Sequence, residues 1–296
     1  PELHADTGAS HNVVQTVFVE CGSAYLEDGP EHMRPVGETS FVLDQARQSA
    51  AAGGAEISGI VSFADLSLGA AVEEVLAEHD RRGEGLFRGI RHATAHDPSP
   101  AIHKSHTSPP PGLLADADFR AGFAKLGQMG FSFDAWMFHP QVTELVDLVA
   151  AHPETPVVLD HIGGPLGIGP YAGNRDEVRS VLRPALEALA KHEHVVVKVG
   201  GIAMSIYGVG LKQIPGGASS EQVFDIWNDD VRHVIDTFGP NRCMFESNFP
   251  VDGAGCSYTV LYNTFQRIAD AAGYNSQERA DLFAGTARGF YRVAQP

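Results

Sequence analysis

Basic residues are scarce in this sequence. Lysine and arginine together number 21 against 37 aspartates and glutamates, which gives a formal charge of -16 and a pI near 5.2. Binding to nucleic acid or to an anionic membrane surface needs clustered positive charge, because both present phosphate groups. We therefore expect neither as a partner and expect a small-molecule ligand instead.

Long apolar runs, a secretion signal and paired cysteines are also missing. No stretch of about 18 apolar residues occurs, and the first residues lack the basic and apolar regions of a signal peptide. The cysteines Cys21, Cys243 and Cys256 cannot all pair, and none has the CxxC spacing of a zinc or redox site. These absences predict a cytoplasmic protein. Because the first residue is Pro1 and not methionine, we expect the natural chain to begin upstream.

Seven short apolar, β-branched runs recur along the chain, each followed by a segment of helical periodicity. In the segment after Pro140, for example, Val142, Leu145, Val146 and Val149 form one apolar stripe. This alternation is typical of a parallel sheet covered by helices. The predicted strands are residues 13–20, 57–64, 86–92, 130–138, 156–160, 195–200 and 242–247.

The pattern predicts an α/β fold, a (β/α)8 TIM barrel that lacks one unit, as a single domain over residues 1–296. No linker or change of composition divides the chain. A doubly wound open sheet is the alternative, and the absence of a glycine-rich phosphate turn after any early strand weakens it. Seven strands leave a gap in an eight-stranded barrel, so we expect about 40 to 70 residues before Pro1 that supply the first strand.

Polar residues gather at the predicted carboxyl ends of the strands, where active sites of barrels are built. Lys198 lies inside the apolar run VVVKVG, so burial requires a partner or a ligand for its charge. Arg91 is taken as the inward arginine of FRGIRH, suited to binding a carboxylate. His139 precedes a proline and could simply end a strand. The candidates are Glu20, Arg91, His92, His139, Asp160, His161, Lys198, Glu246, Asn248 and Asp252.

The order of several motifs resembles the amidohydrolase-related family of metal-dependent (β/α) barrels. These motifs are FRGIRH, FDAWMFHPQ, VVLDHIGGP, VVVKVGG, RCMFESNFPVD and LFAGTARGFYRV. The DHIGGP and SNFP elements together are specific, and the resemblance runs from about Val13 to Val293. The family includes lactone hydrolases and decarboxylases that act on aminocarboxymuconate semialdehyde.

The resemblance implies that His139 is a metal ligand and His161 a catalytic histidine. It also implies a divalent metal, zinc or manganese, held in part by a His-x-His pair that would lie upstream of this chain. Asn248 stands where most members have an aspartate, and an amide cannot take a proton from water. Asp252 or Glu246 could replace it as the base.

These observations predict a hydrolase that opens a small anionic lactone or related cyclic ester. Arg91, His92, Lys198 and Glu20 are the predicted substrate-binding residues, and His161, Asn248 and Asp252 are the predicted catalytic ones. We expect His161, Arg91 and His139 to converge on one pocket. The alternatives are a carbon–carbon lyase of the decarboxylase type and a barrel that binds a ligand without catalysis. Association into a homo-oligomer is left open.

Overall fold

The computed structural model describes residues 2–103 and 107–296. Seven strands are present in these residues: Gln15–Val19 (β1), Glu56–Ser62 (β2), Phe87–Arg91 (β3), Ser132–Ala135 (β4), Val157–Leu159 (β5), Val195–Val199 (β6) and Cys243–Phe245 (β7). The α-helices are Glu2–Thr7 (α1), Val36–Ala51 (α2), Val72–Gly83 (α3), Ala117–Gln128 (α4), Val142–Ala151 (α5), Arg175–Leu189 (α6), Ser220–Phe238 (α7), Tyr258–Ala272 (α8), Ser276–Ala280 (α9) and Thr286–Tyr291 (α10).

The strands form one parallel sheet in the order β1 to β7, and each strand pairs with the next along the chain. Val61 of β2, Val158 of β5 and Met244 of β7 belong to one buried apolar cluster. In a flat sheet, β2 and β7 would be about 24 Å apart, because neighbouring strands are spaced by about 4.8 Å. The shared cluster therefore requires the sheet to curl around an axis, which confirms the predicted barrel.

Alternation along each strand separates two cores. Val157 and Leu159 point outward into the large apolar layer between sheet and helices, whereas Val158 between them points to the barrel axis. The same alternation along β6 directs Lys198 inward between Val197 and Val199, which lie in the outer layer. Lys198 therefore points into the same barrel interior as the apolar side chains of Val61, Val158 and Met244.

The observed strands are shorter than the predicted ones and lie within them, except that β2 begins one residue earlier, at Glu56. The predicted strand at 130–138, for instance, is reduced to Ser132–Ala135, and the chain then leaves the sheet before a short 3₁₀ turn at His139–Gln141. Side chains cap free backbone N–H groups at the starts of α4, α7, α8 and α9, as when Asp116 accepts from the N–H of Phe119 at the start of α4. None of the described helices is both long enough and apolar enough to pass through a membrane.

Within residues 2–103 and 107–296, β7 and β1 do not pair. The segment after α1 contacts α8 beside this opening, where Ser10 Oγ donates to Thr259 Oγ1 at 2.8 Å and His11 Nε2 lies 3.1 Å from Asn263 Oδ1. The first strand expected upstream of Pro1 lies outside this chain and stays a prediction.

Candidate active site

Arg91 lies inside the barrel and is held by two acids. Its Nε is 2.7 Å from Glu20 Oε1, its Nη2 donates to the Glu20 carbonyl at 2.8 Å, and its Nη1 is 3.3 Å from Asp160 Oδ2. The side chain of Arg91 is 15% exposed, and those of Glu20 and Asp160 are fully buried. Arg91 thus bridges the carboxyl ends of β1 and β5 across the barrel.

Lys198 joins the same group of charges from β6. Its Nζ is 2.6 Å from Asp134 Oδ2 and 2.9 Å from Asp160 Oδ1. Tyr291 of α10 donates its hydroxyl to Asp134 Oδ2 at 2.7 Å. The sequence-based requirement for a partner of Lys198 is therefore met by two carboxylates. We call Glu20, Arg91, Asp134, Asp160 and Lys198 the inner charge cluster.

Burial raises the pKa values of the acids Asp134 and Asp160, whereas the neighbouring cations lower them. Burial raises the pKa of Asp134 to about 6, although Lys198 favours its charged form. Burial also opposes ionisation of Asp160, but Lys198, His161 and Arg91 together hold its pKa below the ordinary value. Desolvation disfavours the charge on Lys198, yet Asp134 and Asp160 raise its pKa well above normal. Lys198 is therefore a permanent cation matched by buried acids.

These contacts argue against the predicted role of Arg91, Lys198 and Glu20 in binding substrate, which stays a prediction. Both cations already form ion pairs with internal carboxylates, and a substrate carboxylate would have to displace them. Breaking a buried ion pair costs about 3 to 5 kcal/mol. Side chains alternate along each strand, and this alternation points Asp134 and Asp160 into the barrel, where both contact Lys198. The inner charge cluster is therefore internal support for the site.

His161 lies in a tight turn directly after β5. Its φ is +54° and that of Ile162 is +51°, a left-handed conformation that L-residues rarely adopt. Gly201 makes room for the imidazole, because a Cβ on Gly201 would come within 2.7 Å of His161 Cβ. The hydroxyl of Tyr207 donates to the His161 carbonyl at 3.0 Å. Strained backbone that surrounding contacts hold in place is a feature of functional sites.

Glu246 at the end of β7 orients the imidazole. Its Oε1 lies 2.5 Å from His161 Nδ1 and accepts from the His161 backbone N–H at 3.2 Å. The Trp136 ring meets the imidazole edge to face at 4.7 Å. When Nδ1–H donates to the carboxylate, the neutral ring keeps its lone pair on Nε2. His161 then has the arrangement of a general base oriented by an acid.

Asn248 and Asp252 form the adjoining part of the site. Asn248 Nδ2 donates to Asp252 Oδ1 at 2.8 Å, and the Ala203 N–H donates to Asp252 Oδ2 at 3.1 Å. Asp252 is fully buried, and this burial raises its pKa to about 7 although both hydrogen bonds and His161 lower it. Asp252 therefore fixes the orientation of the Asn248 side-chain amide.

The Asp252→Asn variant tests this raised pKa through stability. An acid with a folded-state pKa above its unfolded value stabilises the fold at low pH, and this contribution is lost as pH rises through the folded pKa. We expect the stability of the wild-type protein, relative to the variant, to fall between pH 4 and pH 7 by at most about 4 kcal/mol. Urea unfolding of both proteins across this range measures the difference. A constant difference would show that the Asp252 pKa is ordinary.

His92 and His139 do not join these residues. His92 Nδ1 accepts from the Leu66 N–H at 3.2 Å, and its ring packs between Phe63 and Phe119, so it faces the helical layer. Because Arg91 points inward, its neighbour His92 must point outward. The structure thus places His92 away from His161, and its substrate-binding role stays a prediction.

His139 lies above the end of β4, among the loops. Its Nδ1 accepts from the Leu166 N–H at 3.4 Å and its ring packs on Tyr171 at 4.9 Å, while burial lowers its pKa to about 4. An imidazole that accepts at Nδ1 carries its proton on Nε2, which leaves no free lone pair for a metal. The predicted convergence of His139 with Arg91 and His161 does not appear in these contacts.

Residues 2–103 and 107–296 contain no group of three histidine, cysteine, aspartate or glutamate side chains that could hold a metal ion. Glu246, Asp160 and Glu20, which point to the barrel axis, are already bound to His161 and Arg91. The described residues therefore do not by themselves fit a metal centre. The histidine pair expected upstream of Pro1 stays a prediction.

The curled parallel sheet agrees with a comparison of sequence families. The amidohydrolase family profile matches residues 18–293, so the chain belongs to the amidohydrolase family. This membership supports an enzymatic function.

Two proteins and one crystal structure indicate its relatives. The chain is 29% identical over 272 residues to the uncharacterised protein y4mH of Sinorhizobium fredii, covering 92% of this chain and 80% of that protein. It is 28% identical over 268 residues to the L-fucono-1,5-lactonase of Burkholderia multivorans, covering 88% and 78%. A crystal structure of a B. multivorans amidohydrolase with bound zinc has a TM-score of 0.74 at 25% identity, covering 99% of this chain and 88% of that one.

Proposed function

We propose that this protein hydrolyses small lactones, with His161 as the general base. The observation that carries the proposal is the 2.5 Å contact between His161 Nδ1 and Glu246 Oε1, which leaves Nε2 as the nitrogen that can accept a proton. The similarity to a lactonase that acts on a sugar lactone supports the reaction class. The left-handed turn at His161 supports a functional role for this histidine.

The reaction needs one proton to move twice. His161 Nε2 takes a proton from water as the water oxygen bonds to the lactone carbonyl carbon. Glu246 stabilises the imidazolium, and His161 then returns the proton to the ring oxygen as the ring carbon–oxygen bond breaks. The product is a hydroxy acid. Asn248, held by Asp252, has a second amide hydrogen with which to stabilise the negative charge on the carbonyl oxygen.

The charges around His161 favour a neutral, hydroxylated lactone as substrate. Three acids, Glu246, Asp160 and Asp252, interact with His161. The inner charge cluster adds the acids Glu20 and Asp134 and the cations Arg91 and Lys198. Both cations are already paired with carboxylates. The anionic lactone expected from the sequence is kept as the alternative substrate class, and it would require a cation from elsewhere in the protein.

A panel of lactones tests both classes. We expect the purified protein to open neutral sugar 1,5-lactones and 1,4-lactones, with acid release followed by a pH indicator, and to act at least about tenfold less efficiently on dicarboxylated lactones. A preference for the dicarboxylated compounds would contradict the charge argument. Release of CO2 from a carboxylated substrate, without lactone opening, would favour the decarboxylase alternative. Saturable binding with no turnover of any compound would favour the non-catalytic barrel.

A further inference from the structure

A cavity lies behind the His161 turn, between α6 and α7. Its volume is about 250 Å³, enough for a ligand of roughly ten non-hydrogen atoms. Ile162, Leu182, Leu186 and Trp227 contribute apolar walls. The cavity is distinct from the site described above, because neither Glu246 nor Asn248 lines it.

One wall of this cavity is positively charged. Arg175, Arg179 and Arg183 recur every four residues along α6 and therefore lie on one face of the helix. Asp230 is the only acid among the described lining residues, and it accepts from all three arginines. Their other acidic partners, Asp176 and Asp229, are 98% and 67% exposed, so solvent screens them. The lining carries an excess of cations.

Three buried nitrogen atoms of the lining residues have no hydrogen-bond partner within residues 2–103 and 107–296. They are Trp227 Nε1, Arg183 Nε and His233 Nε2. Trp227 is only 2% exposed, and the Arg175 guanidinium lies 4.6 Å from the centre of its ring. The indole and the guanidinium nitrogens are donors only. A buried donor without an acceptor costs about 1 to 3 kcal/mol, so these atoms favour an occupant that brings oxygen acceptors.

We propose that this cavity binds a small amphipathic monocarboxylate. Its apolar body lies against Ile162, Leu182 and Leu186, and its carboxylate accepts from Arg183 Nε and Trp227 Nε1. The bound molecule contacts the back of the catalytic turn, because Ile162 follows His161 and Tyr207, another lining residue, donates to the His161 carbonyl. The proposal does not depend on the lactonase function.

Titration calorimetry with phenylacetate tests the proposal, and 2-phenylethanol serves as the neutral probe of similar shape. We expect saturable binding of the acid at submillimolar concentration and at least about tenfold weaker binding of the alcohol, because a charge-assisted hydrogen bond contributes about that factor. Equal binding of acid and alcohol would identify an apolar occupant and overturn the proposal. So would the absence of saturable binding.

Variants place the binding in this cavity. Arg183→Met and Trp227→Phe each remove one donor, and we expect each to weaken binding of the acid, Arg183→Met by about tenfold or more. Arg279→Met is the matched control, because Arg279 pairs with Asp270 outside the cavity. His161→Asn should bind as the wild type does. If His161→Asn lost binding and Arg183→Met retained it, the acid would bind at the barrel mouth and not in this cavity, which would overturn the proposal.

Discussion

Replacing His161 with alanine is expected to lower kcat/KM for lactone hydrolysis by about 10²- to 10⁴-fold, because the variant loses the general base. The backbone of the turn keeps its hydrogen bonds to Glu246 and Tyr207 when the imidazole is removed, so the melting temperature should change by only a few degrees. Steady-state kinetics on the best lactone of the panel, with thermal unfolding measured in parallel, give both quantities.

His139→Ala is the matched control for this experiment. His139 follows β4 as His161 follows the neighbouring strand β5, and both histidines are buried. His139, however, contacts Leu166 and Tyr171 and not the acids of the site. We expect it to lose only a small factor in kcat/KM. A loss in His139→Ala as large as that in His161→Ala would restore the sequence-based hypothesis of a ligand histidine and contradict the site described here.

Replacing Lys198 with methionine is expected to destabilise the protein by about 3 to 5 kcal/mol, the usual cost of leaving buried charges without their partner. Lys198 Nζ contacts two fully buried carboxylates, Asp134 at 2.6 Å and Asp160 at 2.9 Å. Without the lysine their folded-state pKa values rise, so the variant should lose stability as pH increases. Urea unfolding at pH 5 and pH 8 measures the loss and its direction with pH.

Lys125→Met provides a control of the same chemistry. Lys125 Nζ lies 2.9 Å from Glu73, but the Glu73 side chain is 61% exposed, and such surface pairs contribute at most about 1 kcal/mol. If Lys198→Met does not fold, the double variant Lys198→Met/Asp134→Asn should recover part of the stability, since one uncompensated charge is removed. A loss in Lys198→Met no larger than in Lys125→Met would show that the inner charge cluster contributes little.

The sequence predicted the barrel well because strands β4 to β7 are buried on both faces. Runs such as VVVKVG have no polar alternation, and this pattern distinguishes a covered parallel sheet from hairpins. The charge of Lys198 within such a run also predicted a partner correctly, since burial of an unpaired ammonium is too costly. The identity of that partner was beyond the sequence, because Asp134 is 64 residues away.

The placement of two histidines differs from the sequence-based expectation for physical reasons. Arg91, the last residue of β3, points inward, so the period of two directs the next residue, His92, outward. His139 could not be placed in this way, because it lies well beyond Ala135, the last residue of β4. The contribution of Tyr291 had no signal in the sequence, because it enters the barrel from a helix.

The inner charge cluster also bears on the order in which the molecule folds. Arg91 meets Glu20 across 71 residues of chain, and Tyr291 meets Asp134 across 157. Strand and helix units that are adjacent in the chain can pack together early. These pairs, in contrast, form only after units distant in the chain have come together to curl the sheet. Until then each charge is hydrated, so the cluster cannot guide the early chain. We therefore place it after the rate-limiting barrier, where changes to Lys198 or Tyr291 would chiefly accelerate unfolding and leave the folding rate nearly unchanged.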